Sequence, residues 1–239
     1  MKIKCLGSGS SGNCYLLQSD TETLILDCGL PIMEIKKGLN FDLSKVHGCV
    51  VTHTHVDHSK SVKDFENMGI PVYKPYESKE PILLNCWSGI VQSFDLTDKD
   101  GNWTHTNADG SECPCYGFLI KHPELGRMLY ITDTELVKWK FNDIDHILIS
   151  CNYQKKYVTD DEQTKRKHVL KGHIELQTVI DFLNVNATDR LKTVTLCHLS
   201  DRNSNAKEMV DEVQKIVPWA NVSVAKANTE VVLSEQCQF

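Results

Sequence analysis

Between Val50 and Lys60 the chain reads VVTHTHVDHSK, with three histidines and an aspartate in six positions directly after a short apolar run. Such a run reads as a buried strand, so the polar cluster must leave the core at the strand's end. If the chain turns there from Val51 into a helix at Ser59, then His53, His55, Asp57 and His58 converge. Neutral imidazole and carboxylate are the donors that zinc, iron and manganese accept. One such histidine is ordinarily a solvated loop residue; four donors in H-x-H-x-D-H spacing constrain the chain to build a site around them.

The elements on either side follow from apolar runs and turn residues. MKIKCLG, CYLLQS, TLILDCG and HGCVVTH predict strands in the first half. GSGSSGN between the first two predicts a hairpin turn, because a phosphate-cradling glycine loop would open a helix and here a strand follows. SKSVKDFENMG predicts a helix ending at Gly69, and IPVYK a further strand. YGFLIKH and GRMLYITD flank PELG as a second hairpin, and the polar stretch from Lys99 to Glu112 predicts a loop. DHILISCNY and KTVTLCHLS predict strands, TDDEQTKRKHVLKGHIELQTVIDFLNV one or two helices, and NAKEMVDEVQKIV an amphipathic helix. VSVAKANTEVVL predicts a closing strand pair. With no repeat and no low-complexity linker, residues 1–239 are expected to form one domain.

Composition excludes some functions. The formal net charge of −6 argues against a broad electrostatic footprint for nucleic acid, while leaving room for a local basic cleft. No apolar run approaches the roughly 20 residues of a membrane span. The opening MKIKCLGSGSSG has no apolar h-region, so no secretory signal is expected. Ten cysteines are spread without the spacing of a small disulfide scaffold, several inside apolar runs, which predicts reduced, packed thiols in a cytoplasmic protein. Cys113 and Cys115 in ECPCYGF have no second pair to complete a structural zinc site, so a packing role is expected for them.

Later polar residues at strand ends extend the metal reading. Asp133 emerges from the strand LYITD, and His198 ends VTLCH. Taken alone, Asp133 could cap a helix and His198 could be a satisfied core histidine. With the cluster upstream, both become ligand candidates. Between positions 59 and 132 the histidines are His105, in the polar loop WTHTNADG, and His122, at the predicted hairpin turn. Ligands often sit on loops, which favours His105. Asp27 in LILDCG is either a turn cap or a partner of the site.

With these residues in order, the chain resembles the metallo-β-lactamase superfamily, through Asp27, THTHVDH, His105, Asp133 and His198. GSGSSGNCYLL, CNY after Ile149, the GH at 172–173 and HLSDRNSN at 198–205 are similar to its WalJ/YycJ-type exonuclease and phosphodiesterase branch, phage and prophage relatives included. GHIELQ stands where that branch more usually has GHLSN. The 65 positions from Asp133 to His198 are too few for a β-CASP insertion.

The resemblance implies a four-layer αβ/βα sandwich, two facing sheets with helices on both outer faces and metals at one edge. It implies two divalent ions, zinc or manganese with iron also suited. His53, His55 and His105 would hold one, Asp57, His58 and His198 the other, and Asp133 would bridge. A metal-bridging hydroxide would then attack phosphorus. Asp57 would share in catalysis, Asp27 would orient a ligand imidazole, and His173 would serve as general acid or transition-state stabiliser. Asn152, Lys165, Arg166 and Lys171 would meet a phosphodiester substrate such as a DNA or RNA end, the three basic residues being otherwise a solvated helix face. His168 is a further imidazole in that stretch. Two other functions suit the same residues: hydrolysis of a small thioester, lactone or cyclic nucleotide, and non-catalytic metal binding. A closed, Cys-rich shell would be more usual for the last.

Overall fold

A computed structural model describes residues 1–78, 87–158 and 172–233. Twelve strands among these residues form two six-stranded sheets. The first sheet contains β1 (Lys2–Gly7), β2 (Cys14–Gln18), β3 (Thr23–Leu26), β4 (Val46–Val50), β5 (Val72–Tyr73) and β12 (Glu230–Val232), in the order β12-β1-β2-β3-β4-β5. The second contains β6 (Ile90–Asp95), β7 (Tyr116–His122), β8 (Gly126–Ile131), β9 (His146–Ser150), β10 (Thr193–Cys197) and β11 (Asn221–Val224), in the order β11-β10-β9-β8-β7-β6.

Both sheets are mixed. In the first, β12, β1, β2 and β3 pair antiparallel, while β3, β4 and β5 run parallel. In the second, β6, β7 and β8 pair antiparallel, while β8, β9, β10 and β11 run parallel. Sequence pattern follows position. β1 alternates half-buried and buried residues, whereas β9, between two parallel neighbours, is buried throughout.

Three apolar layers hold the sandwich. Ile3, Tyr15, Leu24 and Val50 of the first sheet meet Phe118, Met128, Tyr130 and Leu148 of the second. On the first sheet's outer side, Leu16, Ile25 and Cys49 pack with Ile35 of α1 (Ile32–Gly38) and Phe65 of α3 (Val62–Asn67). On the second sheet's outer side, Leu129, Ile147 and Val194 pack with Val179 of α4 (Leu176–Asn186) and Val213 of α5 (Ala206–Ile216). The order helix, sheet, sheet, helix is the expected four-layer sandwich. Asn205, in the HLSDRNSN stretch, caps α5 by accepting from the Glu208 N–H. No helix among the described residues is long and apolar enough to cross a membrane.

Two sequence expectations need correction, and one strand escapes the sequence pattern. The helix after the histidines begins earlier and is broken: α2 spans Val56–Ser59, and α3 starts again at Val62. At the break, the Ser61 N–H donates to the Cys28 carbonyl (3.0 Å) and its hydroxyl to the Leu30 carbonyl (2.7 Å). Those bonds tie the turn to the end of β3 instead of continuing a helical ladder. The closing strand pair is no hairpin, because β11 pairs with β10 while β12 crosses to β1. Finally, β6 was not recognisable as a strand, since it is an edge strand with Ile90 64% exposed and no continuous apolar run.

Candidate metal centre

Asp27, His53, Asp133, Asn152 and His198 all lie just beyond the carboxyl ends of β3, β4, β8, β9 and β10. Carboxyl ends of parallel strands are where α/β sheets present loops for chemistry. Two groups that could each hold a metal ion emerge: His53, His55 and His105 form one candidate set, and Asp57, His58, Asp133 and His198 the other, with donor atoms within 4.8 Å of one another in each.

In the first set, His55 Nδ1 lies 3.0 Å from His105 Nε2. His53 Nδ1 is 3.0 Å from the Thr52 hydroxyl, which leaves Nε2 facing inward. In the second set, His58 Nε2 lies 3.4 Å from Asp133 Oδ2 and 3.5 Å from Asp57 Oδ2, and His198 Nε2 lies 3.6 Å from Asp57 Oδ2. Asp133 Oδ2 also lies 3.8 Å from His53 Nε2 and 3.9 Å from His105 Nε2. One carboxylate oxygen therefore faces both sets.

Asp27 is fully buried and accepts bonds on both oxygens. Oδ1 accepts from the Thr52 N–H (2.8 Å); Oδ2 accepts from the Thr52 hydroxyl (3.0 Å), the Tyr130 hydroxyl (2.6 Å) and His58 Nδ1 (2.6 Å). A proton on Nδ1 leaves the His58 Nε2 lone pair pointing into the site, the tautomer a metal ligand needs. Asp27 and His198 adopt φ of 55° and 53°, a region unusual for residues other than glycine. Neighbours on both sides hold them there. Asp27 N–H donates to Val50 (2.9 Å), His198 N–H to the Ser8 hydroxyl (2.8 Å), and the Asn152 amide to the His198 carbonyl (2.9 Å).

Close backbone approach explains Gly29 in LILDCG. A Cβ there would fall 1.7 Å from the Asp57 carbonyl oxygen, which accepts from the Asn13 N–H at 2.7 Å. Gly172 has a φ of +84°, and a Cβ on it would fall 2.2 Å from His105 Nδ1.

Electrostatics follow the packing. Burial foremost, then His58 and His105, hold His53 well below the ordinary imidazole value. Burial pushes His105 down to about 4. Burial alone would lower His58, but Asp27, Asp133 and Asp57 outweigh it and raise it well above. Burial would raise Asp133, yet His198, His173 and His58 hold its carboxyl well below the usual range.

His53 Nε2, His105 Nδ1, Asp133 Oδ1 and His198 Nε2 are buried without hydrogen-bond partners. Unpartnered buried polar atoms are costly. A shared carboxylate and the nitrogens His53 Nε2 and His198 Nε2, which face Asp133 and Asp57, fit divalent cations, which would satisfy those two nitrogens. Cys113 and Cys115 are buried free thiols, as expected of packing residues. Cys115 Sγ lies 3.6 Å from His53 Nδ1.

His173 joins the site from Gly172, its Nδ1 3.4 Å from Asp133 Oδ1 and its ring stacked on His198 at 5.6 Å. Asn152 is buried, with its amide on His198. Lys165, Arg166, His168 and Lys171 lie outside the described residues. His122 stands apart, paired with Glu22 at 3.2 Å.

Sequence reasoning missed two participants. Asn13, which ends the GSGSSGN turn, places its amide 3.0 Å from His58 Nε2 and 3.4 Å from Asp57 Oδ2. Asn107 accepts from His55 Nε2 at 3.1 Å. An asparagine closing a glycine-rich turn was the available signal for the first; nothing in the sequence marks the second.

Comparison with known proteins agrees with this geometry. Residues 7–148 match the family model described as metallo-beta-lactamase superfamily. Exodeoxyribonuclease WalJ of Streptococcus pneumoniae is 24% identical over 231 residues, covering 87% of this chain and 84% of that protein. Exodeoxyribonuclease YycJ of Bacillus anthracis is 24% identical over 233 residues, covering 87% and 86%. The metallo-beta-lactamase fold protein YhfI of Bacillus subtilis superposes with a TM-score of 0.65 at 14% identity, covering 96% of this chain and 98% of that one. Unliganded yeast PDE1 gives 0.65 at 11% identity, covering 97% and 99%. The chain belongs to the metallo-β-lactamase superfamily.

Proposed function

We propose that the protein is a dinuclear metal-dependent phosphodiesterase, an exonuclease-like enzyme acting on DNA or RNA ends in the cytoplasm, its length forming one catalytic domain. The observation that carries this reading is the second ligand set, Asp57, His58, Asp133 and His198, sharing Asp133 with the first. His53, His55 and His105 would hold one cation and Asp57, His58 and His198 the other, with Asp133 between them. Zinc and manganese suit these donors, and iron also fits. Two divalent cations, when bound, acidify water and neutralise charge developing at a phosphoryl group.

The chain's own residues set up the rest. Asp27 fixes the His58 ring, and Asn13 braces the same imidazole and Asp57. His173, beside Asp133 and partly exposed, is placed to hand a proton to the leaving oxygen. The resemblance to proteins named exodeoxyribonucleases supports a nucleic-acid substrate.

The test is protein reconstituted with zinc or manganese, assayed on bis-p-nitrophenyl phosphate, an end-labelled DNA duplex and a thioester. Turnover of the two phosphodiesters is expected. Thioester turnover with both diesters inert would move the function to small acyl hydrolysis. Inertness of metal-loaded protein toward all three would overturn the enzyme reading.

A further inference from the structure

A cavity of about 350 Å³ opens among residues interleaved with and following the candidate ligands of the H-x-H-x-D-H stretch. Thr54, Val56, Lys60, Lys63, Lys74 and Tyr76 are among the residues that line it. Thr54 and Val56 flank His55 in the chain, so the cavity adjoins the His53, His55, His105 set. Its volume is that of a small-ligand site.

The charges in this cavity are not equivalent. Lys74 lies 2.7 Å from both Glu66 and Glu77, and Glu77 also lines the cavity, so that side carries one carboxylate more than its ammonium balances. Lys60 and Lys63 line the cavity without an ion pair among the described residues, and outnumber that excess carboxylate by one, on a chain whose net charge is −6. Val56 is 68% exposed, an aliphatic side chain held in solvent between two candidate ligands, and the Tyr76 ring faces the same space. Two free cations beside an apolar and aromatic wall match a nucleotide, with phosphate on the ammonium groups and base against the apolar face.

We infer that this cavity is a subsite for a nucleotide flanking the scissile bond of a single-stranded DNA end, its phosphate held by Lys60 and Lys63 and its base lying against Val56 and Tyr76. The inference rests on the phosphodiesterase reading and supplies the local basic cleft that an acidic chain needs to hold a polyanion.

The test uses metal-loaded full-length protein, wild type and K60E/K63E, with K121E/K226E as a charge-matched control elsewhere on the surface. Two readouts are taken: kcat/KM for a short single-stranded DNA relative to bis-p-nitrophenyl phosphate, and anisotropy of a fluorescent DNA of the same length. Reversing both lysines is expected to lower the kcat/KM ratio by at least about tenfold, mainly through KM, and to flatten the salt dependence of binding by about two counterions. The control is expected to change neither.

An unchanged ratio, an equal loss on both substrates, or an equal effect of the control would overturn the subsite. Wild-type protein inert toward both substrates would overturn the phosphodiesterase reading instead. The subsite is then judged by anisotropy, where equal DNA affinity of wild type and K60E/K63E overturns it.

Discussion

Two regions of this molecule bury a histidine against a carboxylate, at opposite ends of β7, and they differ in what they leave unsatisfied. At the His122 end, Glu22 accepts from the Ser88 N–H (3.0 Å) and hydroxyl and pairs with His122 Nε2 (3.2 Å), while His122 Nδ1 accepts from the Glu124 N–H (3.2 Å). Each ring nitrogen of His122 has a partner. At the Tyr116 end, six imidazoles and two carboxylates converge, yet His53 Nε2 and His198 Nε2, which face those carboxylates, are buried without hydrogen-bond partners. A closed hydrogen-bond set is a structural device. An open set of like donors aimed at one another calls for a cation. His105 belongs to the open group, its Nε2 3.0 Å from a second imidazole nitrogen, and His122 to the closed one.

The largest expected effect comes from removing the shared carboxylate. Asp133→Asn should lower phosphodiester turnover by at least about a thousandfold, the equivalent of the several kcal/mol that metal ions supply to phosphoryl transfer. Steady-state kinetics and metal analysis of the folded variant check this, and near-wild-type turnover would break the assignment of Asp133. Next comes the paired test of the two histidines. His105→Ala should weaken metal binding by more than about 100-fold, beyond what loss of an outer partner causes. His122→Ala should leave metal affinity intact and cost about 1–3 kcal/mol in a urea melt, because Glu22 loses a buried partner. The reverse pattern would exchange their roles.

Asp27→Asn should have an intermediate effect, about 10–100-fold on metal affinity, because an amide orients His58 less well than a carboxylate. Isothermal titration with zinc reads it, and an unchanged constant would make Asp27 a turn residue only. The smallest effect belongs to Glu22. Burial opposes the charged form, but Ser88 and His122 outweigh it and lower the folded pKa below 4.5. Its contribution to stability is therefore present above pH 4.5 and lost as pH falls through the lower folded value. Glu22→Gln should give a shallower loss of stability in that acid range, and an unchanged slope would show that the pair is not linked to folding.

Much of the centre was legible because it is local. His53, His55, Asp57 and His58 reach one point through a single strand-to-helix turn, so spacing alone betrays them. Asp133 and His198 were readable as polar residues ending apolar strands. The remainder depends on contacts distant in sequence. Asn13 reaches His58 across 45 positions and Ser8 holds His198 across 190, through a glycine turn that reads in isolation as an ordinary hairpin. Strand partners were hidden for the same reason. β11 and β12 read as one closing pair, yet β11 joins β10 and β12 joins β1 in the other sheet.

Asp27 carries a consequence beyond the ring it orients. The oxygen that accepts from His58 also accepts from Thr52, at the edge of the first sheet, and from Tyr130, inside the second. The two halves of the sandwich are thus riveted through the carboxylate that steadies a ligand. Energy released by a cation bound there would be felt as adhesion between the sheets, and the grip of sheet on sheet as affinity for the cation.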